Sequence, residues 1–206
     1  MSLRRRVLLL GAAWLALAGP AAASEVRSGS FHAAALGAEM RYTVYLPDGY
    51  DSGSGQRRYP VLYLLHGHGG DEHDWLRQGA LQATADRLIG CGAVPPLIVV
   101  MPAGGNSWWV DSPHAAAQTA LVRDLVAHTD SRLRTLAARE GRLIAGLSAG
   151  GYGTLLAVMK YPQLYAAAAA FSPAVYVPVP PPVSAARRVP APAATSAPAA
   201  KADCTG

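Results

Sequence analysis

The sequence feature that most constrains the fold is a serine flanked by glycines, placed between an apolar run and a segment with helical spacing. Gly146, Ser148 and Gly150 form a G-x-S-x-G pattern. Residues 142–146 predict a buried strand, and residues 149–160 carry apolar side chains at helical intervals. A serine at such a junction must sit on a sharp turn, where flanking glycines let the backbone approach closely. The pattern therefore predicts strand, tight turn and helix in that order.

The predicted turn also places Ser148 where a nucleophile could work. Its hydroxyl would stand out of the sheet at the positive end of a helix dipole. The backbone N–H of Ala149 would point to where a carbonyl oxygen becomes negative during attack. The alternative, a glycine-rich turn with an idle serine, stays open at this point.

Apolar runs alternate with helical patterns along the rest of the chain. Residues 31–47 alternate in the manner of an antiparallel hairpin. Further buried strands are predicted at residues 59–65, 96–101 and 165–171, and helices at residues 80–89 and 116–138. Buried strands alternating with helices predict an α/β fold, with a mostly parallel sheet and helices on both faces.

The N-terminal end has the composition of an export signal. Residues 1–23 contain three consecutive arginines, an uncharged apolar run and then small residues, which predicts a signal peptide and a periplasmic or secreted protein. The apolar run is short for a membrane span, so cleavage is favoured over a stable membrane anchor. The formal charge is +5 from 18 basic and 13 acidic residues; without those three arginines, 15 against 13 leaves +2. The charge thus gives no indication of a nucleic-acid partner.

The C-terminal end of the chain has a different amino-acid composition from the rest. Residues 173–206 hold half of the sixteen prolines and many alanines, which predicts a disordered or polyproline tail after a domain at residues 24–172. The two cysteines, Cys91 and Cys204, could form one disulfide in an oxidising compartment.

Three motifs in a fixed order resemble a known family. They are LLHGHGG at residues 64–70 with Trp75 after it, MP leading to NSW within residues 101–108, and IAGLSAGGYG at residues 144–153. Over roughly residues 30–172 the chain resembles the putative esterase family of α/β-hydrolases, which includes feruloyl esterases, S-formylglutathione hydrolase and antigen 85 type mycolyltransferases. The resemblance implies an α/β-hydrolase fold, a serine nucleophile and no metal or other cofactor. It also implies acyl transfer from a small-molecule, glycan or lipid ester to water or another hydroxyl.

The resemblance assigns roles to individual residues. Ser148 would be the nucleophile, and the backbone N–H groups of Ala149 and His68 would form the oxyanion hole. Gly67 and Gly69 would keep the loop around His68 open. Trp108 and Trp109 would lie near the substrate pocket, although plain packing in a loop is an equal alternative.

The sequence departs from the family pattern after Ser148. In α/β-hydrolases an acid and then a histidine follow the nucleophile. Here no histidine follows Ser148, and the one acid after it is Asp203. The expectation is a domain without its last two strands and a catalytically impaired chain, which could act as a non-enzymatic remnant or binding module. A substitute base from upstream would be His68 or His114.

A metal-dependent hydrolase is a further alternative. The cluster His66, His68, Asp71, His73 and Asp74 resembles a zinc signature of the H-x-H-x-D-H type. That signature needs the acid one residue earlier and the third histidine directly after it. Because zinc requires three or four side chains converging on one point, an oxyanion loop followed by solvated polar residues fits this spacing better.

Overall fold

The apolar runs of the sequence form the strands of one six-stranded sheet. The computed structural model of the chain describes residues 23–52, 55–113 and 115–175. The sheet strands are β1 Glu25–Ala33, β2 Ala38–Leu46, β3 Val61–Leu65, β4 Ile98–Pro102, β7 Arg142–Leu147 and β8 Ala167–Phe171. A separate small hairpin, which the sequence did not predict, consists of β5 Asp111–Ser112 and β6 Ala115–Ala116.

The helices follow the strands in alternation. Helix α1 spans Asp74–Arg77, α2 spans Leu81–Gly90 and α4 spans Ala149–Lys160, and a 3-10 turn covers Arg139–Gly141. Helix α3 consists of three consecutive segments: Ala117–Thr119, a π-helical stretch Ala120–Leu125, and Val126–Arg132.

The sheet is mostly parallel, as predicted. Its strand order is β1-β2-β4-β3-β7-β8. The β1–β2 hairpin is antiparallel and joins β4 in antiparallel fashion, whereas β4, β3, β7 and β8 run parallel to one another. Parallel strands bring their carboxyl ends to one edge, so the residues after β3, β4 and β7 meet there.

Helices pack on both faces of the sheet, which confirms the predicted α/β architecture. One apolar cluster contains Leu121 and Leu125 of α3 and Ala157 of α4, packed against Tyr63 and Ile144 of the sheet. A second, smaller cluster joins Ala85 of α2 to residues on the other face, including Leu64, Val99 and Ala145. The residues of β4 are all buried, because this strand lies inside the sheet with packing on each face.

The prediction of a helix over residues 116–138 was wrong at its end. Helix α3 stops at Arg132, and Leu133 is extended, with φ −119° and ψ 158°. The reason is a contact from a distant segment: Tyr59 N donates to Arg134 O and Leu136 N donates to Tyr59 O, each at 2.8 Å. After Arg132 the helix therefore ends, and the extended chain pairs with Tyr59, just before the start of β3.

The predicted signal peptide and tail lie almost entirely outside the described residues. In the part that the structure describes, no helix is long and apolar enough to cross a membrane. Within the same part, β8 forms one edge of the sheet.

Candidate active site

Ser148 occupies the turn between β7 and α4, in the conformation that the sequence pattern requires. Its backbone has φ 55° and ψ −115°, a region that few residues other than glycine adopt. The turn is held by backbone hydrogen bonds: Ser148 N donates to Phe171 O at 2.9 Å, and Ser148 O accepts from Tyr152 N at 2.9 Å and Ala174 N at 3.0 Å. The Ser148 side chain is half-buried, and its Oγ makes no hydrogen bond with any described residue.

Close packing explains the glycines on either side of Ser148. A Cβ at Gly146 would overlap the backbone of Gly150, and a Cβ at Gly150 would lie 2.5 Å from the carbonyl oxygens of Leu65 and His66. Real Cβ atoms do not approach backbone so closely, so α4 can start directly above β7 and β3 when both positions are glycine.

The loop after β3 lies against this turn. A Cβ built on Gly67 would be 3.7 Å from Ser148 Cβ, and Gly69 has φ 77°. His68, between them, is exposed. Neither the backbone N–H of His68 nor that of Ala149 has a hydrogen-bond acceptor among the described residues. Two free donors therefore belong to the segments that meet at Ser148.

His66 links the loop after β3 to the loop after β4 through hydrogen bonds. It is 2% exposed, and its Nε2 accepts a hydrogen bond of 2.8 Å from Gly104 N. Because Nε2 is an acceptor, the neutral ring carries its proton on Nδ1, which donates to Gly67 O at 2.6 Å. Both ring nitrogens are thus engaged, and the one sign of this role in the sequence is a histidine at the end of a strand.

The two tryptophans of the loop after β4 have different positions. Both have positive φ, 56° for Trp108 and 59° for Trp109. Trp109 is 1% exposed, and its Nε1 donates to His66 O at 3.1 Å. Trp109 is therefore buried and packed against His66, which fits the packing alternative that the sequence analysis left open for this residue.

Trp108 is instead half-buried and lies near the serine turn. Its ring centroid is 5.8 Å from that of His68 and 6.3 Å from that of Tyr152. Tyr152 is on the first turn of α4, four residues after Ser148. An aromatic group of His68, Trp108 and Tyr152 therefore stands next to the nucleophile position.

A small pocket adjoins the turn on the side of α1. Its volume is about 270 Å³. It is lined by His66, Gly67, Asp74, Trp75, Gln78, Gly79 and Leu147. The Asp74 carboxylate is paired with the Arg77 guanidinium at 2.6 Å. Arg77 also hydrogen-bonds Asp71, which lowers the pKa of that carboxyl.

The three histidines of the zinc alternative have separate partners. Both ring nitrogens of His66 are engaged within the loops, His68 is exposed beside Trp108, and His73 Nδ1 lies 3.2 Å from Thr43 Oγ1. Over the described ranges, no group of three or more His, Cys, Asp or Glu side chains is arranged to hold a metal ion. The three histidines do not form a common ligand set.

Of the two substitute bases that the sequence offered, one can be located. The His68 ring lies against Trp108 and forms no hydrogen bond with Ser148 Oγ. His114 and Asp203 lie outside the described residues.

Comparison with known proteins agrees with this geometry. The family model described as "Putative esterase" matches residues 33–199. Esterase Rv1288 of Mycobacterium tuberculosis (strain ATCC 25618 / H37Rv) is 34% identical over 152 residues, which cover 69% of this chain and 31% of that protein. The endo-1,4-beta-xylanase/feruloyl esterase of Xylanibacter ruminicola is 34% identical over 156 residues, covering 72% of this chain and 22% of that protein.

Solved structures show the same likeness. A ferulic acid esterase superimposes with a TM-score of 0.69 at 28% identity, covering 73% of this chain and 59% of that one. The chain thus spans about a third or less of the curated relatives named above, and under two thirds of this solved structure.

Proposed function

The chain belongs to the putative esterase family of α/β-hydrolases, and from this we propose that it is an exported serine esterase. It would cleave carboxylic esters, or transfer their acyl group to another hydroxyl, through Ser148. The observation that carries the proposal is the strained Ser148 backbone at the junction of β7 and α4, with the Gly67 loop packed against it. Export is proposed on the pattern of residues 1–23.

In the first step Ser148 Oγ bonds to the ester carbonyl carbon, and the carbonyl electrons move onto oxygen. The N–H groups of Ala149 and His68, which have no acceptor among the described residues, would donate to that oxyanion. Loss of one such donor typically costs about 10²- to 10³-fold in rate. The positive end of the α4 dipole, at Ala149, adds to the stabilisation.

In the second step the oxyanion collapses and the bond to the alcohol oxygen breaks. The alcohol leaves with the proton that the serine lost, and the acyl group remains on Ser148. Water, or another hydroxyl, then attacks the same carbonyl and releases the acid or the new ester, and Ser148 regains its proton. The same two backbone donors serve both halves of the reaction.

The proton acceptor sets the rate of this scheme. A serine hydroxyl is a weak nucleophile unless a base removes its proton. No described residue is hydrogen-bonded to Ser148 Oγ, so the described part of the chain supplies binding and an oxyanion hole without an engaged base. In serine proteases those two elements alone leave roughly 10³- to 10⁴-fold acceleration over water. His68 follows Gly67, whose position lies against Ser148, and it is the candidate base that would raise that value.

The pocket beside Ser148 favours a small, uncharged acyl group. Its volume of about 270 Å³ is modest, and its one carboxylate, Asp74, is already paired with Arg77. Trp108 and Tyr152, whose ring centroids are 6.3 Å apart, offer an aromatic surface near the turn. Related proteins are named as feruloyl or ferulic acid esterases, so esters of aromatic acids are the natural second substrate to try.

A second candidate function follows from Ser148 Oγ, which makes no hydrogen bond with any described residue. If no base reaches Ser148, the chain would bind esters without turning them over and would act as a binding module. Among the described residues nothing is hydrogen-bonded to Ser148 Oγ, and this observation favours the binding module.

The proposal is tested by turnover of p-nitrophenyl acetate and butyrate and of methyl ferulate. Wild type is compared with Ser148→Ala and with Ser131→Ala, since Ser131 is an exposed serine on α3 that bonds only His128 O. Activity that survives in Ser131→Ala and disappears in Ser148→Ala supports the esterase. Saturable binding of the esters without turnover in all three proteins supports the binding module.

A further inference from the structure

Two segments at the amino end of the parallel strands carry a surplus of arginine. Residues 55–60 lead into β3, and residues 130–142 lead from α3 into β7; together they contain six arginines and two acidic residues. One of these acids, Asp130, pairs with Arg142 at 2.6 Å. The other five arginines form no ion pair with any described residue: Arg57, Arg58, Arg132, Arg134 and Arg139.

Backbone pairing brings the two segments side by side. Tyr59 N donates to Arg134 O and Leu136 N donates to Tyr59 O, each at 2.8 Å. The side chain of Arg58 reaches across as well, since its Nη1 donates to Thr135 O at 3.2 Å. Arginines from both segments therefore lie on one surface, which we call the arginine face.

Buried tyrosine rings orient two of the guanidinium groups. Arg134 Cζ is 4.2 Å from the ring centroid of Tyr50, and Arg57 Cζ is 5.1 Å from that of Tyr59. The two rings are 8% and 2% exposed, so they are fixed in the core. A guanidinium that lies over a ring keeps its N–H edge available, and that edge binds phosphate through two parallel hydrogen bonds. The arginine face therefore presents donors that suit phosphate groups.

An exposed apolar turn belongs to the same surface. Residues 136–138, a leucine and two alanines, are all exposed, and Leu136 is 42% exposed. The turn is closed by hydrogen bonds from Ala138 N to Leu136 O at 2.8 Å and from Gly141 N to Ala138 O at 3.0 Å. A Cβ on Gly141 would overlap Leu136, so the turn is tight. In the sequence an arginine of the face stands on either side of it.

We propose that the arginine face binds reversibly to a membrane surface of anionic phospholipids, with Leu136 at the boundary between headgroups and acyl chains. Arginines near such a surface are attracted by its negative potential, and an apolar side chain among them adds buried area. An anionic polymer dissolved in water would use the same arginines but would offer nothing apolar to Leu136. The exposed leucine therefore favours a lipid surface.

The proposed orientation leaves the serine turn free. The arginine face lies at the amino ends of β3 and β7, whereas Ser148 follows the carboxyl end of β7. A chain bound through the arginine face would hold Ser148 on the side away from the lipid. The inference does not depend on the ester chemistry proposed for Ser148.

A fluorescent probe in the full chain tests the lipid contact. The environment-sensitive NBD group is attached at Leu136→Cys and, as a control, at Ala34→Cys, an exposed position in the turn after β1, beyond the carboxyl end of β4. Vesicles of phosphatidylcholine with phosphatidylglycerol should shift the emission of position 136 to the blue and leave position 34 unchanged. Added salt should reverse the shift, because it screens the attraction. The probe reports on its own position, so contact of residues 1–23 with the vesicles does not produce this signal.

Charge variants show whether the arginines are responsible. Arg57→Gln and Arg132→Gln, each with the probe at position 136, should raise the lipid concentration at half-maximal shift by about 5-fold. Arg123→Gln is the matched control, because Arg123 also lies on α3 but is paired with Asp124 at 2.7 Å. It should leave that concentration unchanged.

Three results would overturn the proposal. The first is no shift at position 136 with phosphatidylglycerol vesicles. The second is an equal shift with vesicles of phosphatidylcholine alone, which would mean that the arginines do not select the surface. The third is an equal shift with dextran sulfate in solution, which would make the partner a soluble polyanion.

Discussion

Trp109 donates a hydrogen bond of 3.1 Å from its indole Nε1 to the backbone carbonyl of His66, and the two rings lie 5.0 Å apart. This contact joins the loop after β4 to the loop after β3. Trp109 also packs against Gly153 of α4, where a Cβ would overlap its side chain. The segments that follow three parallel strands are thus packed as one unit around Ser148, and changes at this junction should affect both stability and the site.

Replacement of His66 by alanine should destabilise the protein. Gly104 N would lose its acceptor and Gly67 O its donor, and an unsatisfied buried polar group costs about 1–3 kcal/mol. Urea unfolding of His66→Ala measures the loss. His32→Ala is the control, because the His32 side chain is 64% exposed and its removal should leave the midpoint nearly unchanged. Equal midpoints for the two variants would show that the His66 bonds do not hold the loops.

Gly150→Ala should be poorly tolerated. Its Cβ would lie 2.5 Å from two backbone carbonyl oxygens of residues 65 and 66, and such overpacking typically costs about 1–3 kcal/mol. At Gly90, at the end of α2, a Cβ meets nothing within 4 Å, so Gly90→Ala should be neutral or slightly stabilising. Thermal melting of both variants makes the comparison, and a neutral Gly150→Ala would mean that α4 sits farther from β3 than described.

Acidification should weaken the packing around His128. Burial, and to a smaller extent the nearby Arg132 charge, lower the pKa of His128 below its usual 6.5. The unfolded chain therefore takes up this proton at a higher pH than the folded chain does. Stability from this residue is present above pH 6.5 and is lost as the pH falls through the lowered folded pKa.

The variant His128→Phe removes this titration while keeping an aromatic ring to stack on Phe31, whose centroid is 4.3 Å away. The free energy of unfolding should fall less in this variant than in wild type between about pH 7 and about pH 5. Identical pH dependence in the two proteins would show that His128 is not the group responsible.

Trp108→Gly should affect substrate binding more than folding. Glycine adopts the positive φ of this position at no steric cost, whereas the aromatic surface that Trp108 would offer to an acyl group, next to His68 and Tyr152, is removed. An aromatic contact of about 0.5–1.5 kcal/mol corresponds to a roughly 2- to 10-fold rise in KM. Steady-state kinetics with methyl ferulate measures it, and an unchanged KM would place the acyl group away from Trp108.

The sequence predicted the parts of the fold that depend on local pattern. Helix α4 has the predicted bounds, because the glycines around Ser148 and the apolar spacing after it act over a few residues. The resemblance to the esterase family was confirmed by the family match over residues 33–199. The mostly parallel sheet was likewise predicted correctly from the alternation of strands and helices.

Features that depend on distant contacts were not predictable in the same way. The end of α3 is set by Tyr59, more than seventy positions earlier in the chain. The partly buried ion pair of Asp130 with Arg142, at 2.6 Å, joins α3 to β7. Trp109 packs against Gly104 and Gly153, where a Cβ would overlap its side chain, and Gly153 lies on α4, far from Trp109 in the sequence. Each of these features depends on contacts between segments that are distant from each other in the sequence.

Attack of Ser148 on an ester carbonyl produces an acyl-enzyme, so trapping this intermediate is the decisive experiment. The full chain and Ser148→Ala are incubated with p-nitrophenyl butyrate, quenched in acid and analysed by intact mass and peptide mapping. We expect one butyryl group per chain, located on Ser148 and absent from the variant, because a serine without an engaged base should release its acyl group slowly. A wild-type chain that stays unmodified and releases no p-nitrophenol, or that carries the label on another residue, would show that Ser148 is not the nucleophile.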